Sequence, residues 1–283
     1  MKSRPVIFDT SAINRLADDE DASALLAGLR AAFFIRITET NVSEIVATTS
    51  SARRARLLDV VQSLLPSAHC IQPYQWIIDR LAVKFNQSPG QFRWERFSVR
   101  FPACEREIVR RSVVDDDLAL RQRREAQRAA QEFNAIYNRV APTLQALGNG
   151  AACQTLHEYV EAFKKGNGPL WGIGQMLCAR ATSTEWSERS VMQFYDDCPP
   201  FRALLVALCV AEYERCLRDS TEPTSLRVGR FDLLMATYLP YCHQFVTADE
   251  RQLNCLRLVA TEAHTTTIVR SYEDFREGLT GTW

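Results

Sequence analysis

VIFDTSAI, Val6 to Ile13, is the stretch on which the fold turns: a short apolar run ends in an acid, and turn and cap residues follow before a helical pattern begins. A run of this kind, bounded by turn signals, reads as a strand buried on both faces. The same grammar returns near the other end of the chain, where FVTAD, Phe245 to Asp249, is a β-rich run that again ends in an acid. Two further acids, Glu44 and Asp232, fall within the first turns of predicted helices. Carboxylates gathered at one sheet edge without matching Lys or Arg are costly unless a divalent cation neutralises them.

Working outward, Pro5–Phe8 reads as the first strand and Ser11–Leu16 opens a helical pattern that resumes over Ala22–Arg30 after an acidic turn. FFIRIT, Phe33–Thr38, is a second strand, and Asn41 caps one helix running to about Leu65, where Pro66 ends it. His69–Pro73 is a short third strand, followed by a helix over Trp76–Phe85. Far along the chain the alternation resumes: helix Asp232–Tyr238, strand Phe245–Thr247, helix Glu250–Ala260, strand Thr265–Val269 and helix Ser271–Glu277. Strands alternating with helices predict a mostly parallel sheet covered on both faces, a three-layer α/β/α architecture.

Between these halves the pattern is helical. Asp115–Leu147 reads as one long amphipathic helix, or two broken at Pro142, followed by Cys153–Phe163, Leu170–Ala181, Glu188–Tyr195 and Pro200–Leu217. The expected organisation is therefore a discontinuous α/β domain, residues 1–85 and 222–283, interrupted by an all-helical insert over residues 86–221.

Bulk properties exclude several classes. Of 283 residues 46% are hydrophobic, an ordinary globular value, and 34 Lys plus Arg balance 34 Asp plus Glu, so any nucleic-acid contact has to come from local patches. Nine cysteines without a CxxC pair read as reduced thiols of a cytosolic protein and speak against zinc. MKSRPVIFD has no apolar leader region, and the apolar run Ala203–Ala211 is too short to cross a bilayer, so a soluble, cytoplasmic protein with no membrane partner is expected. Neither a GxSxG elbow nor a phosphate-binding glycine loop occurs.

In open α/β sheets ligands bind outside the carboxyl ends of the strands. Asp9 and Asp249 fall at two such ends, Glu44 just after a third, and Asp232 at a helix start, so all four can face one crevice. Hard oxygen ligands suit Mg²⁺ or Mn²⁺ shared with a substrate phosphate, the chemistry of phosphodiester hydrolysis. Each acid also has a purely structural reading. Asp9 and Asp249 can be helix N-caps, Glu44 a capping-box residue answering Asn41, and Asp232 a partner of a helix dipole.

These segments carry a family resemblance. VIFDTSAI is similar to the opening strand and turn of PIN-domain nucleases, the fold of VapC-type toxins and of several RNA-processing ribonucleases. TNVSEI (Thr40–Ile45) resembles their second acidic helix, FDLLMATYL (Phe231–Leu239) their third, and FVTAD their acidic strand end. The resemblance covers about residues 4–84 and 228–275. It implies Asp9, Glu44, Asp232 and Asp249 as metal-binding and catalytic residues, with Thr10 or Thr247 holding a carboxylate or a metal-bound water. It further implies an RNA substrate, and as partners an antitoxin or other protein and a second copy of the chain.

Substrate contacts are sought in two places. Arg53, Arg54 and Arg56 follow Glu44 and would either grip phosphates or form a solvated helix face. Residues 84–140 hold 12 basic against 8 acidic residues, a balance of +4, and QFRWERFSVRF (Gln91–Phe101) interleaves aromatics with arginines. Arg93 and Trp94 suit single-stranded RNA there, although the aromatics equally suit a core. The expected function is a Mg²⁺- or Mn²⁺-dependent endoribonuclease. The alternatives are a non-cutting PIN-like scaffold that binds RNA or protein, and a structure-specific DNA nuclease.

Overall fold

The computed structural model describes residues 4–64, 69–102, 116–125, 127–128, 131, 155–165, 169–217 and 234–280. In chain order the first half contains β1 (Arg4–Phe8), α1 (Thr10–Asp18), α2 (Ala22–Ala32), β2 (Phe33–Thr38), α3 (Glu39–Val46), α4 (Ser51–Leu64), β3 (His69–Ile71) and α5 (Tyr74–Gln87). The second half contains α6 (Leu156–Lys164), α7 (Pro169–Thr182), α8 (Glu188–Asp197), α9 (Pro199–Leu217), β4 (Gln244–Thr247), α10 (Glu250–Glu262), β5 (Ile268–Ser271) and α11 (Tyr272–Thr280). The five strands form one sheet in the order β3-β2-β1-β4-β5, every pair parallel.

Strand periodicity sorts the apolar side chains onto two faces. Val6 and Phe8 of β1, Ile35 and Ile37 of β2 and Val246 of β4 pack with α1 to α4 and α11. Ile7, Ile71, Phe245 and Val269 face the other way, toward α5, α10 and the helices α6 to α9. Successive strands β1-β2-β3 step to one side of β1, whereas β4 and β5 lie on its other side. The connections therefore diverge between β1 and β4, the switch point at which a crevice opens outside the carboxyl ends of an open α/β sheet. The three-layer α/β/α expectation with a parallel sheet agrees with this arrangement.

Four local expectations are corrected. The helix expected from Asn41 to Leu65 is two, α3 and α4, because Thr48, Thr49 and Ser50 offer local hydrogen bonds that compete with the helix. Ser50 then restarts the chain, its Oγ accepting from Arg53 N at 3.3 Å. The cap of α3 is Thr38, not Asn41. Thr38 Oγ1 accepts from Asn41 N and Asn41 Oδ1 accepts from Thr38 N, a reciprocal capping box. The last strand begins at Ile268 rather than Thr265, since Thr265 N closes the end of α10 on Ala260 O at 3.0 Å and Thr267 Oγ1 donates to Cys242 O at 3.1 Å. Finally, the apolar stretch before β4 is a 3₁₀-helix, Met235–Tyr241, with Pro240 inside it. The long helix expected over Asp115–Leu147 falls largely outside the described residues, of which 116–125 are helical.

The helices α6 to α9 form the layer that covers one face of the sheet. Phe201, Leu205 and Val210 of α9 are fully buried in the same apolar cluster as Phe245 of β4 and Tyr238 before it. Phe194 of α8 meets Phe85 of α5 at 5.0 Å between ring centroids and Phe201 at 4.6 Å. Among the described residues no helix is long and apolar enough to cross a membrane.

Close packing makes one glycine informative. A Cβ at Gly174 of α7 would stand 2.5 Å from Val191 Cγ1 of α8, an overpacking that outweighs the helix propensity gained. Gly174→Ala is expected to lower unfolding stability by about 1–3 kcal/mol. Because α7 and the sheet share one core, urea denaturation followed by circular dichroism should show a single shifted transition. An early separate transition would show that the layer unfolds alone.

Candidate active site at the β1–β4 switch point

Asp9 is the first residue after β1, and its N–H continues the ladder by donating to Val246 O of β4 at 3.0 Å. Asp9 is 6% exposed. Its Oδ1 accepts from Ala12 N at 2.8 Å, capping α1, and from Ser11 Oγ at 2.9 Å. Burial is the largest influence and pushes the Asp9 carboxyl up to about 6, against weaker opposing hydrogen bonds from Ala12, Ser11 and Thr247. All of these partners are neutral hydroxyls and amides. A carboxylate desolvated in this way, with neutral donors only, suits a cationic ligand.

Glu44 reaches the same region from α3. The helix starts at Glu39, so Glu44 lies in its second turn and is not a capping-box residue. Instead Thr10 Oγ1 donates a short hydrogen bond to Glu44 Oε2, and Asn41 Nδ2 donates to Thr10 Oγ1 at 3.2 Å. Asn41 is itself fully buried, and its Oδ1 accepts from Thr38 Oγ1 at 2.7 Å. A directed chain, Thr38 to Asn41 to Thr10 to Glu44, thus orients the glutamate from the end of β2.

A second network joins β1 to β4. Ser11 Oγ accepts from Ala248 N at 2.8 Å and lies 3.2 Å from Thr247 Oγ1, which in turn accepts from Asp249 N at 3.0 Å. Asp249 is exposed, and its Oδ1 caps α10 by accepting from Arg251 N and Gln252 N at 2.8 and 2.9 Å. The capping readings of Asp9 and Asp249 therefore hold, and each cap uses Oδ1. Asp232 lies outside the described residues. Among the described residues, no group of three Asp, Glu, His or Cys side chains is placed to hold a metal ion.

Thr10 hydrogen-bonds the Glu44 carboxylate, and Thr247 Oγ1 accepts from the Asp249 amide. Ser11 and Asn41 link these networks and went unremarked in the sequence beyond their turn and cap character. The signal for Asn41 was available, since Thr38-x-x-Asn41 is a capping pattern that moves the helix start three residues upstream.

The arginines after Glu44 have fold partners. Arg54 is 1% exposed and donates to Thr48 O at 2.8 Å, Thr49 O at 3.1 Å and Asp116 Oδ1 at 2.5 Å, which latches the turn between α3 and α4. Arg53 pairs with Asp18 and donates to Asn14 Oδ1 at 2.8 Å, and Arg56 bonds Ala17 O. These contacts sit at the carboxyl end of α1, whereas Asp9 sits at its start. Arg93 is exposed and donates to Phe92 O at 2.6 Å, and Trp94 is half-buried, its ring edge-on to Tyr241 at 5.4 Å.

Comparison of the chain with protein-family models, with curated proteins and with solved structures finds no match.

The buried acid makes a stability prediction. The folded carboxyl titrates near 6 against 3.8 for the free side chain, so the fold binds the proton more tightly and loses stability as pH rises through that window. Two units correspond to about 3 kcal/mol once Asp9 is fully ionised. In metal-free buffer Asp9→Asn, which retains the cap, should be more stable than wild type at pH 7 by up to that amount. The advantage should fade as pH falls from 6 toward 4 in chemical-denaturation curves. A variant less stable than wild type at neutral pH would contradict the account.

Proposed function

We propose that this chain is a divalent-metal-dependent endoribonuclease of the PIN type, hydrolysing phosphodiester bonds at the crevice between β1 and β4. The observation that carries the reading is the Asp9 carboxylate, desolvated at the carboxyl end of a central parallel strand with only neutral donors around it. Glu44, held toward Thr10 from the neighbouring strand-to-helix junction, supports it. In this reading Asp9 and Glu44 hold Mg²⁺ or Mn²⁺ together with Asp249 and Asp232, and RNA is the substrate. The cation, when bound, supplies the charge neutralisation and water activation that phosphodiester hydrolysis needs.

The residues around the acids do the positioning. Ser11 and the Ala12 amide fix Asp9 Oδ1, so the carboxylate keeps one orientation whether or not a ligand is present. Thr10 does the same for Glu44 Oε2, and Asn41 holds Thr10. Such supporting hydrogen bonds are worth about 10–100-fold in metal affinity or activity at comparable sites. Ser11 further ties Asp9 to the backbone at Ala248, in the loop after β4.

Incubation of single-stranded RNA with the purified protein and Mn²⁺ should yield fragments. Asp9→Asn and Glu44→Gln should abolish cleavage, and Thr10→Val should reduce it about 10–100-fold with little change in melting temperature. Millimolar Mn²⁺ should raise the melting temperature of wild type but not of Asp9→Asn. Cleavage that persists in Asp9→Asn would overturn the assignment.

A further inference from the structure

A second set of side chains, along the outer edge of β3, remains without a role in the site above. The segment Pro89–Phe101 folds as two 3₁₀ turns, Pro89–Gln91 and Trp94–Arg96, and then lays Arg100 antiparallel against Ile71 of β3. Gln72 N donates to Val99 O at 2.9 Å and Phe101 N to Cys70 O at 2.7 Å. Only Phe92 of the four aromatics here is buried; it joins Phe85 and Phe194. Trp94 and Phe97 stay half-exposed and line a cavity of about 330 Å³ with Arg36, His69, Arg100 and Tyr241. That volume is at the lower end of small-ligand sites.

Two of the arginines in this region, Arg36 and Arg80, lie against aromatic rings. Arg80 lies 5.3 Å from the Phe97 ring centroid and 6.0 Å from that of Trp76, which is 56% exposed. Arg36 lies 5.6 Å from the Phe34 ring, itself edge-on to His69 at 4.6 Å. Among the described residues neither Arg36 nor Arg80 has a carboxylate within ion-pairing distance, whereas Arg15, Arg53, Arg54, Arg180 and Arg276 each have one. Arg36 is half-buried on the sheet, with one guanidinium nitrogen on Tyr241 O, and burial lowers its affinity for its proton. A partly desolvated cation with no counter-ion among the described residues favours an anionic ligand. Glu95 is the acid among the lining residues, and it is exposed.

We propose that Trp76, Arg80, Phe97, Trp94 and Arg36 form a binding track for single-stranded RNA along the β3 edge, with one nucleotide seated in the cavity. Its base stacks on Trp94 or Phe97 and its phosphate meets Arg36. Alternating aromatic and arginine side chains are the arrangement that binds unpaired bases and their backbone together. Trp76 stands in the first turn of α5, just past the carboxyl end of β3. The track therefore starts at the carboxyl end of the strands, as Asp9 does, and runs toward Phe34, near the amino end of β2. The proposal rests on the nuclease reading for the choice of RNA as ligand.

The test is fluorescence anisotropy with a short labelled single-stranded RNA in EDTA, where binding is read without cleavage. The double variant Trp76→Ala/Arg80→Gln, changed only at exposed side chains and checked by circular dichroism, should bind about tenfold or more weakly and with a shallower salt dependence. The same sequence as a duplex should bind more weakly than the single strand to wild type. An affinity that ignores the double substitution, equal binding of duplex, or capture of a protein with no RNA affinity would each overturn the track. Absence of RNA cleavage by wild type in Mn²⁺ would remove the nuclease reading and leave this binding result to stand or fall by itself.

Discussion

The burial of one carboxylate at the end of a central parallel strand is the constraint on which the molecule is organised. Asp9 closes the β1–β4 ladder with its N–H, starts α1 with its Oδ1 and is withdrawn from water by the strands and helices around it. Hydrogen bonds recover part of the desolvation cost and leave the carboxyl near 6. A fold that needed only a helix cap would be served as well by Asn or Ser. The ionisable group is thus a destabilising choice whenever it is charged and has only neutral partners.

Everything that touches Asp9 is fastened from more than one side. Ser11 joins the loops after β1 and β4, and Asn41 and Thr10 carry the orientation of β2's end across to Glu44. Behind them Arg53 and Arg56 pin α4 to the carboxyl end of α1, and Arg54 locks the turn that places α3. Side chains that look like a basic ridge in one dimension thereby act as rivets between helices. The helices α6 to α9 play a comparable part, since α9 lies in the same core as β4 and the 3₁₀-helix before it. Covering that face is a requirement of an all-parallel sheet, which exposes apolar side chains on both sides.

Legibility of the chain followed the range of the forces involved. β1, β2 and β4 were readable because apolar runs ending in Asp or Thr carry their own boundaries. The helices α7, α8 and α9 were placed within about two residues by their Pro, Gly and Ser punctuation. The break between α3 and α4 was misread because Val42 to Leu64 keeps a helical apolar spacing across it, and only the local hydrogen bonds of Thr48 to Ser50 interrupt the backbone. The start of the last strand was misread because Thr265 and Thr267 have strand propensity but spend their hydroxyls on the preceding loop.

By itself the sequence determined the alternation of strands and helices, the parallel sheet that follows from it, and the positions of acids at strand ends, because these depend on residue type and on neighbours a few places away. Tertiary structure alone decided which strands adjoin. The order β3-β2-β1-β4-β5 brings Asp9 beside Thr247 across more than two hundred residues of chain. It also decided the state of each charge, leaving Asp9 desolvated, Asp249 exposed, Arg54 buried against carbonyls and Arg36 facing rings instead of acids. Burial and pairing are properties of the packed surroundings, and one-dimensional spacing carries no measure of them.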